Sequence, residues 1–224
     1  MSDAFGQMLP FALVIALSPI PIVAVIAMLF SRRAIPNGGA FLAGCVVGVA
    51  GSLTLLTAVA EAWGLLDSDD APSTTLVVLR FLLGGLLLVA AVKTWRGRPR
   101  PGDAVAMPGW MARIDAIGLS GAFGLAVLLG GVNPKSLLMN VAAAAVLASE
   151  ELSRANRVVA IVLYTAVASS TVALAVGYRV SAGERGAVTL ERMRGWLAAN
   201  DATVMSVLFL VFGVKLVGDA ITGL

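Results

Sequence analysis

Long apolar stretches without a charge constrain this chain more than any other feature of its sequence. Met8–Phe30, Ala34–Ala60 and Val158–Tyr178 contain no Asp, Glu, Lys or Arg, and another such run begins at Ala202. A helix that crosses a hydrocarbon core of roughly 30 Å needs about 20 residues. Backbone polar groups in lipid must pair internally, so only helices or closed barrels can cross it. The runs lack the period-2 alternation of strands, which points to helices. Charge content agrees: 13% of the residues are charged, against about 25% in a water-soluble domain. The sequence thus predicts an all-α, polytopic membrane protein.

Six spans are expected: Leu9–Phe30, Gly38–Ala60, Leu76–Thr94, Leu119–Leu147, Val158–Tyr178 and Ala202–Ile221. The first has no basic n-region, is long and holds internal prolines, so it reads as a retained helix rather than a cleaved signal. The third holds Arg80 near its start, where the side chain can snorkel to the headgroups. Arg32 and Arg33 fall in the first loop, Lys93, Arg96, Arg98, Arg100 and Arg113 in the third, and Arg179, Arg185, Arg192 and Arg194 in the fifth. The second loop has Glu61, Asp67, Asp69 and Asp70 with no base, and the fourth has only Arg154 and Arg157. The positive-inside rule then places the odd loops in the cytoplasm and both termini outside a plasma membrane. Arg96–Pro108, rich in Arg, Pro and Gly, should be irregular. Gly183–Asn200 reads either as an interfacial amphipathic helix anchored by Trp196 or as a solvated loop.

The chain divides into a three-helix unit at 1–95, a basic cytoplasmic linker at 96–118 and a second three-helix unit at 119–224. Each unit opens on a span with a proline motif: Ser18-Pro19-Ile20-Pro21 in the first and Asn133-Pro134-Lys135-Ser136 in the second. The third spans also align, from Val78 to Gly84 against Val207 to Gly213. Units with an odd number of spans must run in opposite senses, the inverted-repeat plan of many secondary transporters.

Proline lacks an N–H and clashes with the preceding turn, so it breaks a helix interior but suits a first turn behind a Ser or Asn cap. Ser18-Pro19 and Asn133-Pro134 therefore each start a second half-helix within the first and fourth spans, and Gly130-Gly131 eases the latter break. Length agrees: the 34 residues Ala116–Ser149 would reach about 51 Å as a straight helix. A half-helix N-terminus favours an anion. Ser18, Pro19, Pro21, Asn133, Pro134, Lys135 and Ser136 are thus candidate substrate-binding positions, expected to converge near mid-membrane. Lys135 either serves that site or snorkels or pairs with Asp219. Asn140, Lys215 and Asp219 are candidates for a pathway or coupling, with Lys215 and Asp219 one turn apart. The Gly44-x-x-x-Gly48 spacing suits close helix packing, within one protomer or in a homodimer.

The chain has no histidine and one cysteine, Cys45, which argues against a transition-metal site and dithiol chemistry. It lacks a Walker loop, a Gly-x-Ser-x-Gly elbow and a His-Glu-x-x-His pair, so no enzyme activity, cofactor or metal is expected. Its positive charge lies mainly in loops and speaks to membrane lipids rather than nucleic acid.

Over its full length the chain resembles the Gap/Sap-like glycolipid-addressing proteins of actinobacteria, within the lysine-exporter superfamily. The resemblance rests on six spans in two halves, Leu17-Ser18-Pro19-Ile20-Pro21, and Val132-Asn133-Pro134-Lys135-Ser136. It implies a role in moving cell-envelope glycolipids to the surface, with an export machinery as a partner. Three functions remain in view: an exporter of a polar-headed anionic glycolipid, an exporter of an amino acid or other small anion, and a non-transporting scaffold of a lipid-export complex.

Overall fold

The computed structural model describes residues 2–31, 33–62, 74–98, 117–150 and 152–222. Arg32, the acidic second-loop residues Asp67, Asp69 and Asp70, and most of the basic linker, including Arg100 and Arg113, lie outside them. The described residues are almost wholly helical and contain no strand.

The first span is broken. Helix α1 (Ser2–Ala16) ends and α2 (Pro19–Met28) begins at a bend of 50°. Pro19 occupies the first helical position of α2, where a missing N–H costs nothing. Then α3 (Ala34–Ala62) and α4 (Thr74–Arg96) run unbroken. The fourth span is broken as well. Helix α5 (Leu119–Val127) widens into a π-turn at Leu128–Val132, and α6 (Pro134–Ser149) follows at 53°.

Two features depart from the sequence expectation. The fifth span is also bent, by 56° between α7 (Arg154–Ala168) and α8 (Ser170–Gly183). The segment Gly183–Asn200 is not a separate interfacial element either. Gly183 takes φ 55° and ψ −132°, a conformation suited to glycine, and α9 (Val188–Thr222) then runs continuously into the last span. At 35 residues, α9 is about 52 Å long, so its charged first third extends beyond a bilayer core.

Among the described residues two helices, α3 and α9, are each long and apolar enough to cross a membrane, and the number rises to five if each bent pair counts as one span. Glycines bring helices into close contact. A Cβ on Gly48 would lie 2.7 Å from the Val127 carbonyl oxygen, and one on Gly131 would lie 2.7 Å from that of Gly48. Gly44 meets the backbone of Phe123, so the Gly44-x-x-x-Gly48 face is used inside the protomer, against α5 and the π-turn. Helices α4 and α9 meet reciprocally. A Cβ on Gly84 would lie 3.1 Å from the Gly213 carbonyl oxygen, and one on Gly213 the same distance from that of Gly84.

Polar contacts sort the helix ends onto two faces. On one, Asn37 Nδ2 donates to the Ile117 carbonyl at 3.0 Å and Arg179 Nε to the Leu29 carbonyl at 3.4 Å. On the other, Arg157 pairs with Glu61 at 2.6 Å and Gln7 Nε2 donates to Glu150 at 3.3 Å.

Candidate functional site

The two proline motifs build their breaks differently. At the first, Ser18 stands at the cap position, but its side chain makes no capping bond. The end of α1 tightens instead, with Ser18 N–H donating to the Ile15 carbonyl at 3.1 Å. Pro19 and Pro21 are both buried, and together they remove two backbone donors from the first turn of α2. At the second, Asn133 caps as expected, its Oδ1 accepting from Lys135 N–H at 3.1 Å. Ser136 Oγ donates to the Leu129 carbonyl at 2.8 Å, which satisfies an oxygen freed by the π-turn. Asn133 and Ser136 are therefore spent largely on local structure. Pro134 is exposed and Lys135 half-buried, its Nζ 6.0 Å from the Phe209 ring centre.

No hydrogen bond joins the two motifs among the described residues. The alternative in which Lys135 pairs with Asp219 does not occur, because Asp219 pairs with Lys215 on its own helix at 2.5 Å. That pair shares a narrow cleft of about 20 Å³ with Gln7, Phe11, Arg80 and Leu216. Such a cleft has room for little more than water.

Asn140 is fully buried at the centre of a polar cluster. Its Nδ2 donates to Ser52 Oγ at 2.7 Å and to the Gly130 carbonyl at 3.3 Å, and its Oδ1 accepts from the Tyr164 hydroxyl at 3.0 Å. One side chain on α6 thus ties α3, the π-turn and α7 together. Three hydrogen bonds to three separate elements mark Asn140 as an architectural anchor.

The sequence did not reveal a groove of about 860 Å³ between α2, α8 and α9. Leu17 and Ile22, which flank the first proline motif, form part of its wall. Leu174 and Trp196 line it at 70% and 60% exposure, so it opens on the flank of the molecule. Its lining is overwhelmingly apolar, and among the described residues Arg192 is the charged one in it. No residue of the second proline motif contributes. The groove depends on α9 reaching back to Val188, and the only sequence signal was Trp196 and Met193 among the charges of that segment.

Described residues that are almost wholly helical, with apolar spans, proline-broken helices and a flank groove lined by hydrocarbon, define a membrane protein. Residues 8–222 match the family described as Sap, sulfolipid-1-addressing protein, and the chain belongs to that family. Membership gives it a membrane-associated, lipid-related role. No curated protein and no solved structure matches it.

Proposed function

We propose that this chain is a plasma-membrane carrier that exports or flips a polar-headed, anionic cell-envelope glycolipid. The observation that carries this reading is the flank groove. An apolar trough beside a broken helix can hold acyl chains that never leave the bilayer, while Arg192 at its wall draws an anionic headgroup. The family's sulfolipid-addressing description supports the same substrate class. An exporter of an amino acid fits less well, since the polar cleft at Lys215 and Asp219 is about 20 Å³.

The carrier reading takes the six spans as two inverted three-helix units of the lysine-exporter type. The reciprocal Gly84–Gly213 contact supports this, because a local two-fold axis between α4 and α9 makes each glycine meet its counterpart's carbonyl. Loops one, three and five are cytoplasmic in this scheme and the termini are outside. The scheme is supported by the basic bias of those loops and by contacts that group loop ends on two faces.

The test is a proteoliposome assay comparing translocation of a sulfated glycolipid with efflux of a basic amino acid. Glycolipid translocation that Leu174→Trp abolishes, by filling the groove from an exposed position, supports the proposal. Amino-acid efflux without lipid movement replaces it with the small-solute carrier, and neither activity replaces it with the scaffold.

A further inference from the structure

Helices α4 and α9 touch at Gly84 and Gly213, where each glycine faces the other's carbonyl oxygen. Two turns nearer the end of α4, the same antiparallel register sets Ala91 against Ser206. Both are small, and they are 3% and 4% exposed. Two short side chains leave a gap that larger neighbours do not fill. A second groove, of about 360 Å³, lies between the helices at this level, with Val92, Val207 and Leu210 as exposed apolar walls. Trp95 and Arg96 line it where α4 ends. From Ala91 to Arg96 it runs about 8 Å along the helix, so it belongs to one leaflet and offers no path across the membrane.

The end of this groove is basic. Lys93, Arg96 and Arg98 are all exposed around it. The Arg98 guanidinium stacks on the Trp95 ring, 3.7 Å from its centre. Stacking uses the face of the guanidinium and leaves its in-plane N–H fork for phosphate oxygens. A tryptophan at this depth sits where aromatic rings mark the headgroup level. The opposing charges are smaller. Asp201 lies on α9 at about the level of Arg96, and the C-terminal end of α4 contributes about half a negative unit. Three full positive charges exceed both together. Bases at a helix end alone would only complement its dipole; here an apolar groove lies directly beneath them.

We propose that the α4–α9 groove is a site for an anionic membrane phospholipid, its phosphate held by Arg96, Arg98 and Lys93 and the upper part of one acyl chain lying against Ala91, Val207 and Leu210. Basic pockets between transmembrane helices recognise anionic headgroups in this way. The lipid is a resident one, since the groove stops within one leaflet. It bridges α4 and α9 where their glycine contact no longer holds them together, and so acts as a clamp on the helix that also walls the flank groove. The site stands whether or not the flank groove carries a glycolipid.

The experiment is thermal unfolding of the purified protein in neutral detergent micelles doped with phosphatidylglycerol or, at equal mole fraction, phosphatidylcholine. Phosphatidylglycerol should raise the Tm by a few degrees over phosphatidylcholine in a saturable manner. Arg96→Gln combined with Arg98→Gln should remove at least half of that increment. Val207→Trp, which fills the groove from an exposed position, should remove it, whereas Arg192→Gln in the flank groove should retain it. Equal increments from the two lipids, or an anionic increment that survives either the arginine substitutions or Val207→Trp, overturn the proposal. Loss of the increment in Arg192→Gln alone overturns it too and moves the lipid to the flank groove. A dimer in light scattering that Val207→Trp dissociates would assign the groove to a second copy of the chain, again overturning it. A wild-type protein indifferent to phosphatidylglycerol decides against the site even if a variant fails to fold.

Discussion

Replacing Asn140 with alanine should be among the most damaging single changes in this protein that leave its surface untouched. The substitution removes the three hydrogen bonds that the amide makes to Ser52, Gly130 and Tyr164. Side-chain hydrogen bonds inside membrane proteins average about 0.6 kcal/mol, so their loss costs about 2 kcal/mol. The Tyr164 hydroxyl, fully buried, is then left without a partner, which adds about 1 kcal/mol at the low end of that penalty. The expected loss is about 3 kcal/mol. Tyr164→Phe should cost about 1 kcal/mol, for one lost bond and an under-satisfied amide oxygen. The double variant should fall short of the summed losses by about 1 kcal/mol, because no orphaned tyrosine hydroxyl remains. Reversible unfolding in mixed micelles, followed by circular dichroism, measures all three. A loss below about 0.5 kcal/mol for Asn140→Ala, or additivity of the pair within about 0.5 kcal/mol, would refute the anchor role.

Other expectations are more local. Gly48→Leu should destabilise the fold by about 1–3 kcal/mol through overpacking against the Val127 carbonyl, whereas Gly51→Leu, with open space around it, should be tolerated, as the same unfolding assay will reveal. Gly183→Ala meets no steric obstacle but must adopt φ 55°, so it should cost about 1–2 kcal/mol by backbone strain alone. An equal loss at Gly177, which is helical, would contradict that explanation. Asp219→Asn breaks a half-exposed pair with Lys215 and should change stability by less than about 1 kcal/mol; a larger loss in the unfolding free energy would mean that the pair holds the cleft together.

The proline breaks were legible because their chemistry is local. Ser18-Pro19 and Asn133-Pro134 each place a residue without an N–H where a helix can start but not continue. The bend at Ser169 has neither proline nor glycine beside it, and Ser169-Ser170-Thr171 reads equally well as packing residues; the contact that accompanies the bend runs from Thr171 to Ala16, across most of the chain. The extent of α9 was obscured for a related reason. Glu191, Arg192 and Arg194 looked like a loop, yet the joint lies upstream at Gly183 and the charges ride on a helix that outreaches the bilayer. The partners of Asn140 come from three other elements, and no local pattern announces them. Whether the two half-helix N-termini converge depends on packing between the halves, which no local pattern encodes; Asn133 and Ser136 each make a bond within their own break.

The most direct test of the lipid-carrier account is photocrosslinking in native-like bilayers, using a sulfated glycolipid with a diazirine in its acyl chain. The account predicts adducts concentrated on groove residues such as Leu174, Met193 and Leu197, and lost when Leu174→Trp fills the groove. Labelling spread evenly over all lipid-facing helices, or unchanged by that substitution, would contradict it.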